Sequence, residues 1–363
     1  MKKAFIGDLI FVALCAVVVL ALGVGIYALP MERISEEENR ALANTPTFGI
    51  KKLLDGELFE ELSDFYSDRI PLRTQMIRLK AVCELSLGKS ENNGVRFEYG
   101  RLVDRCLYDD LDTLEENLAN IKAFSARTQA VCAIVPRSAD VYTDSEEAAA
   151  VRSLLDDDAL YSRLCAVGDD AYYKTDHHLD AAGAFAVYEY VMESLGETPL
   201  PKSEFKLTQV SDDFLGSVYS RSGLIPIYQD TVSAWRYDGD TELSVKCRDT
   251  GCSIDGLYSP SALEGKDKYL YFLGGNHGSL SISSPTEERP CLYLIKDSFA
   301  NSVIPLLARH FDLTVYDPRY SVSAPDVPDG ARIVILCGFD TLATTGRFTR
   351  KLDWRQDFLS ELS

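Results

Sequence analysis

Histidine is scarce in this chain, with four among 363 residues, and two of the four stand side by side at His177 and His178. The nine cysteines include no CxxC pair, which argues against a zinc site built from them. No GxSxG elbow of the α/β-hydrolase kind is present. Internal repeats and low-complexity tracts are also missing, so the chain must be parsed by hydrophobic pattern. Basic charge is short: 37 Lys and Arg face 56 Asp and Glu, for a formal net charge of −19. Such a surface repels phosphate backbones and anionic headgroups, which argues against nucleic acid as a partner.

What is present supports a real core, since 46% of residues are hydrophobic and 10% aromatic in a length that suits one large or two modest domains. Lys2 and Lys3 precede Leu9–Leu29, an uncharged apolar run long enough to cross about 30 Å of hydrocarbon. With no compelling cleavage site after it, the run predicts an uncleaved, single-pass signal-anchor in the cell membrane. The lysines then lie inside, and the acidic stretch 35–39 and everything beyond it lie outside the cytoplasm. Cys247 and Cys252, flanking "RDTG", are spaced for a local disulfide.

Three regions follow: an anchor over 1–30, a helical extension and linker over 31–105, and a large domain over 106–363. Residues 50–90 are helical in pattern with a break at Pro71, and "NNGVRFEYGRLVD" (92–104) predicts a hairpin. A helix over 111–129 leads into the strand-like "VCAIV" (131–135). Further apolar runs at 269–275, 291–299, 313–320 and 331–339 predict buried strands, with a helix over Asn301–His310. Alternating strands and helices argue for a mostly parallel sheet covered on both faces. Residues 200–265, rich in Gly, Ser, Pro and Asp with short β-like pieces, predict a β-rich insertion or cap.

The chemistry concentrates in two places. In "KTDHHLDAAGAF" (174–185), Asp180 suits the N-cap of a helix, so Asp176–His178 is expected to be extended. Residues two apart then share a side: Asp176 meets His178 while His177 points away. A carboxylate on imidazole Nδ1 fixes the tautomer and raises the basicity of Nε2, as a general base requires. A surface histidine pair or a partial metal site are the competing readings, and no metal is expected. In "CLYLIKDSFANS" (291–302), Ser298 sits on a turn between strand and helix, a place for a nucleophile whose own backbone N–H helps to hold an oxyanion. A plain helix cap at Ser298 or Asp297 is the alternative. Asn276, at the end of "YFLGGNHG" (271–278), is a second oxyanion candidate or a simple turn residue. His177, His277 and Tyr320 are candidate substrate contacts.

Taken together, "EEENRALANTPTF" (36–48), "LSDFYSDRIPLR" (62–73), "AIVPRSADVY" (133–142), "KTDHHL" (174–179), "DDFLGSVYSRSG" (212–223), "YFLGGNHG", "IKDSFANSVIPLL" (295–307) and "VYDPRY" (315–320) resemble the DHHW proteins. That family belongs with the alginate O-acetylation proteins to an SGNH-hydrolase-like superfamily. The resemblance implies a three-layer α/β/α, flavodoxin-like core and a triad of Ser298, His178 and Asp176. Leu179 stands where the family name has Trp, removing an aromatic wall beside the base, and Lys296 stands near the nucleophile where acetylation relatives have glycine. The implied activity is O-acetyl transfer through an acyl-serine to a cell-surface or secreted polysaccharide, without a cofactor. A membrane-bound O-acyltransferase would be the partner supplying acetyl groups. A carbohydrate esterase or deacetylase with the same triad, and a non-catalytic carbohydrate-binding scaffold, are the alternatives.

Overall fold

The computed structural model describes residues 2–28, 33–35, 40–104, 111–143, 146–154, 158–224, 228–249, 252–321, 323–344, 348–349 and 352. The acidic stretch 36–39 and Cys106 fall outside them. The chain divides into two compact units, residues 1–93 with 223–225, and residues 94–222 with 226–363.

The first unit carries a helix over Lys2–Ala28, a short antiparallel pair of Ile34–Ser35 with Arg40–Ala41, and helices Ile50–Leu54, Glu57–Asp68 and Arg73–Ser86. The break at Pro71 is where the sequence places it, and Leu72 after it takes a left-handed φ of 62°. Asp68 and Arg69 hold the Ala43 backbone, with Asp68 Oδ2 accepting its N–H at 2.8 Å and Arg69 Nη1 donating to its carbonyl at 2.9 Å. Of the N-terminal helix, the side chains from Ile10 to Ile26 are described in part. The expected membrane span is not met there: among the described residues no helix is long and apolar enough to cross a membrane.

The second unit is built on a six-stranded sheet. Its strands are β1 (Val131–Val135), β2 (Ser244–Cys247), β3 (Ser279–Ser283), β4 (Cys291–Lys296), β5 (Asp312–Tyr316) and β6 (Arg332–Gly338), in the order β1-β6-β4-β5-β3-β2. The first four in that order are parallel, and β3 and β2 complete the sheet antiparallel. The continuous apolar runs of β4 and β6 explain why they are central: both faces of each are buried. Leu292, Leu294, Val334 and Leu336 pack on one side with the helices Ala159–Val167 and Ala181–Ser194. Tyr293, Ile295, Ile335 and Cys337 pack on the other with Leu114, Leu118, Ile121 and Phe124 of the helix Leu111–Thr128. The result is a mixed α/β fold with a mostly parallel sheet and helices on both faces. Each such buried aliphatic side chain contributes about 1.5–3 kcal/mol.

Three expectations about elements are corrected. Residues 269–275 form no strand of the sheet; Lys268–Tyr271 is a 3-10 turn, and Leu273 and Gly274 are left-handed at φ 62° and 68°. The helix over Asn301–His310 shrinks to Ile304–Leu307, preceded by tight turns. The stretch 200–265 is not wholly a cap, because β2 within it pairs into the central sheet through β3. The strands Lys206–Phe214 and Asp230–Arg236 pair with each other, in accord with its β-rich reading, and the hairpin Val95–Glu98 with Arg101–Asp104 is formed. Cys247 and Cys252 form the disulfide their spacing suggested, with Cα atoms 5.9 Å apart.

Candidate active site

The segment 171–180 is a bend rather than an extended strand, closed by an isolated bridge between Tyr172 and Leu179. Tyr172 Oη donates to the Pro136 carbonyl at 2.6 Å, fixing the bend beside the carboxyl end of β1. Asp180 caps the helix Ala181–Ser194 by accepting the Ala181 N–H. Burial pushes the Asp180 carboxyl up to about 6.

Within the bend Asp176 is 3% exposed and uses both oxygens. Oδ1 accepts the His178 backbone N–H at 2.9 Å and faces His178 Nδ1 at 2.6 Å. Oδ2 accepts from Ser217, the backbone N–H at 2.7 Å and the hydroxyl at 2.9 Å. Burial opposes ionisation, but the two imidazoles, the His178 hydrogen bond and the Ser217 N–H outweigh it and hold the Asp176 carboxyl well below the usual carboxylate range. An anionic Asp176 fixes Nδ1–H on His178 and turns the Nε2 lone pair outward. That Nε2 is buried and has no hydrogen-bond partner among the described residues. Gly216 permits the close approach, since a Cβ there would lie 2.2 Å from the Asp176 Cβ.

His177 does not point away. The bend brings its ring to 3.9 Å from that of His178, and its Nδ1 to 2.7 Å from Ser217 Oγ. The ligand atoms of Asp176, His177 and His178 lie within 4.8 Å of one another. The argument from a regular strand against a shared metal therefore falls, although both Nδ1 atoms already have polar partners.

Ser298 stands just past the carboxyl end of β4, where parallel α/β sheets carry their sites. It opens a 3-10 turn capped by Asp297, which is fully buried and accepts from Phe299 N at 2.9 Å, Gly338 N at 2.7 Å and Thr341 Oγ1 at 2.7 Å. No hydrogen bond joins Ser298 Oγ to His178 Nε2. Tyr269 connects the two segments instead: its ring stacks on His178 at 3.8 Å and 9°, and its hydroxyl donates to the Ser298 carbonyl at 2.9 Å. The Phe299 ring lies 5.4 Å from that of His178. The aromatic wall that Leu179 cannot supply thus comes from Tyr269, while Leu179 is itself fully buried.

Lys296 does not shape the turn directly. Its ammonium is completely buried, donates to Asn301 Oδ1 at 2.8 Å and lies 3.6 Å from Asp317. Burial pushes it down and Asp317 opposes the shift. Asn301 Nδ2 donates in turn to Asn276 Oδ1 at 3.1 Å. This relay fixes the orientation of the exposed Asn276 amide and leaves its Nδ2 to donate elsewhere.

The other candidates are not brought to His178. His277 holds its own loop, with Nε2 2.8 Å from the Leu273 carbonyl and Nδ1 3.1 Å from Cys252 Sγ. Cys247, Cys252 and His277 cluster with metal-ligand spacing, but both sulfurs are in the disulfide. Tyr320 is exposed beside Arg319 in the segment after β5. Sequence reasoning missed Ser217, Tyr269 and Asn301. Ser217 and Tyr269 lay in stretches with no pattern pointing at the base, whereas Asn301, three residues past Ser298, was within reach of inspection.

The family model described as DHHW protein matches residues 157–317, which include Asp176, His177, His178, Ser217, Tyr269, Asn276 and Ser298. Among solved structures, the chain is similar to a DHHW family protein from Eubacterium siraeum, with TM-score 0.57 and 18% identity over 72% of this chain and 96% of that one. It is similar to Bacillus cereus PatB1 with a sulfonyl adduct, at TM-score 0.56 and 18% identity over 70% and 97% of the two chains. A second PatB1 structure gives TM-score 0.55 and 19% identity over 70% and 98%. No curated protein matches the chain.

Proposed function

With residues 157–317 a DHHW region, we propose that the chain is an SGNH-type O-acyltransferase whose Ser298, His178 and Asp176 act as nucleophile, general base and orienting acid. One observation carries the reading: His178 Nδ1 is held by a buried, ionised carboxylate while its Nε2 has no partner among the described residues. A histidine kept for structure alone would have both nitrogens satisfied. Ser298 occupies the neighbouring strand end, tied to the His178 ring through Tyr269. The fold likeness to PatB1 and to the Eubacterium siraeum protein supports the architecture this chemistry requires.

In the proposed reaction His178 Nε2 takes the Ser298 proton as Oγ attacks an acetyl ester, and the Ser298 backbone N–H and Asn276 Nδ2 stabilise the oxyanion. Collapse releases the donor alcohol, protonated by His178, and leaves acetyl-Ser298. A polysaccharide hydroxyl then takes the acetyl group. The gap between Ser298 Oγ and His178 Nε2 closes when substrate binds, as catalytic hydrogen bonds commonly do. Hydrolysis by the same residues is the second reading, favoured by the half-exposed position of Ser298. Incubating the full chain with an acetyl ester, with and without oligosaccharide, separates them: acetylated sugar supports transfer, and acetate alone supports the esterase. Replacement of Ser298 by Ala removes both activities; turnover that survives it overturns Ser298 as the nucleophile, and no turnover by the wild-type chain leaves a non-catalytic scaffold.

The proposal also places the bulk of the chain outside the cytoplasm, with a membrane-bound O-acyltransferase as the source of acetyl groups.

A further inference from the structure

The Ser217 hydroxyl has one proton and two neighbours placed to take it. Asp176 Oδ2 is 2.9 Å from Ser217 Oγ, and His177 Nδ1 is 2.7 Å from it. An ionised carboxylate can only accept. Both contacts are made together only when the hydroxyl proton points at Asp176 and His177 Nδ1 carries a hydrogen and donates it to Ser217. His177 then keeps a lone pair on Nε2, which no protein group takes among the described residues. Burial and the neighbouring His178 lower the affinity of His177 for a second proton.

The two imidazoles are thereby wired to the two oxygens of one carboxylate and present two acceptors of different character. His178 Nε2 is buried; the His177 side chain is 32% exposed. The His177 ring meets the Phe299 ring edge-on at 5.7 Å, beside the turn that begins at Ser298. The ring centroids are 3.9 Å apart, so one small molecule can lie against both histidines.

We propose that His177 is the acceptor-binding residue, whose Nε2 takes a hydrogen bond from one hydroxyl of a vicinal diol while the adjacent hydroxyl reacts at His178. This rests on the acyl-transfer reading. In the transfer step the reacting hydroxyl gives its proton to His178 Nε2 and its oxygen bonds to the acetyl carbon. The bond from that carbon to Ser298 Oγ breaks, and His178 returns the proton to Ser298 Oγ. Free serine and the sugar ester result; water entering instead yields acetate. His177 selects between them, because a diol satisfies both imidazoles and a lone alcohol satisfies one.

The test uses the full chain in detergent, p-nitrophenyl acetate as donor, and cis-1,2-cyclohexanediol against cyclohexanol as acceptors. The ratio of ester to acetate is read for each, so that overall turnover and the folded fraction cancel. The wild-type chain is expected to favour the diol about tenfold, the effect of one well-placed hydrogen bond. His177→Phe keeps a ring against Phe299 but has no lone pair, and loses the preference. His177→Gln, whose amide oxygen can accept, restores most of it. A preference that persists in His177→Phe overturns the assignment of His177 and leaves acyl transfer standing. Acetate from the wild-type chain with no ester to either acceptor overturns the transfer reading itself.

Discussion

Asp176 and Asp297 hold their surroundings in the same way and differ in what each leaves over. Both are buried, both open a turn by accepting the backbone N–H two residues on at 2.9 Å, and both reach with Oδ2 to a backbone N–H and a hydroxyl of a distant segment. For each, the distant segment offers a glycine. A Cβ on Gly216 would meet Asp176, and one on Gly338 would lie 2.3 Å from the Phe299 ring that follows Asp297. The difference is a single contact. Asp176 also accepts a hydrogen bond from an imidazole, and the other nitrogen of that ring has no partner among the described residues. Asp297 spends its capacity on backbone and hydroxyl donors, so it presents a serine without taking part in proton transfer. A buried carboxylate is chemical or structural according to whether its last partner can pass something on.

Substitutions at the two aspartates should separate their roles. The largest effect is expected for Asp176→Asn, which leaves the bend largely intact but puts the wrong tautomer on His178; acyl turnover should fall about 10³–10⁴-fold with the melting transition little moved. Asp297→Ala should do the reverse. It strands three buried donors and is expected to cost about 3 kcal/mol of stability in denaturant titrations, with residual activity in proportion to the folded fraction. Gly216→Ala and Gly338→Ala should each cost about 2 kcal/mol by overpacking. Gly216→Ala alone should also lower kcat, because it displaces Asp176.

A smaller effect concerns pH. Asp180 has a folded-state value of about 6, above the unfolded value near 3.9, so the protonated acid is the form the fold favours. Its contribution is complete below about pH 4 and is lost as pH rises from about 4 to 6, a change of about 3 kcal/mol. Asp180→Asn, which still caps the helix, removes that slope when unfolding free energies of the two chains are compared across the window. Parallel curves for the two chains would show that the carboxyl does not titrate there.

Much of the sheet was legible because its strands are buried on both sides. The continuous runs of β1, β4, β5 and β6 need no knowledge of partners, and Ser298 follows one of them directly. What escaped depended on contacts distant in sequence. The Tyr-rich run at 269–275 has strand composition, yet Leu273, Gly274 and Gly275 take left-handed backbone and the segment turns. The alternating "SLSIS" of β3 shows strand character only once β5 and β2 flank it. At the site, the Asp-x-His spacing led to the right pair for the wrong local reason: the convergence comes from a bend held by Ser217 and allowed by Gly216, which also turns His177 inward. Tyr269 stacking on the base and the buried relay from Lys296 to Asn276 carry no local signature at all.

Whether His178 makes Ser298 a nucleophile is read by quenching the full chain during turnover of p-nitrophenyl acetate and mapping acetylated peptides by mass spectrometry. One acetyl group is expected on Ser298 in the wild-type chain and none in His178→Ala. Acetylation confined to other residues, or Ser298 acetylation undiminished in His178→Ala, would contradict it.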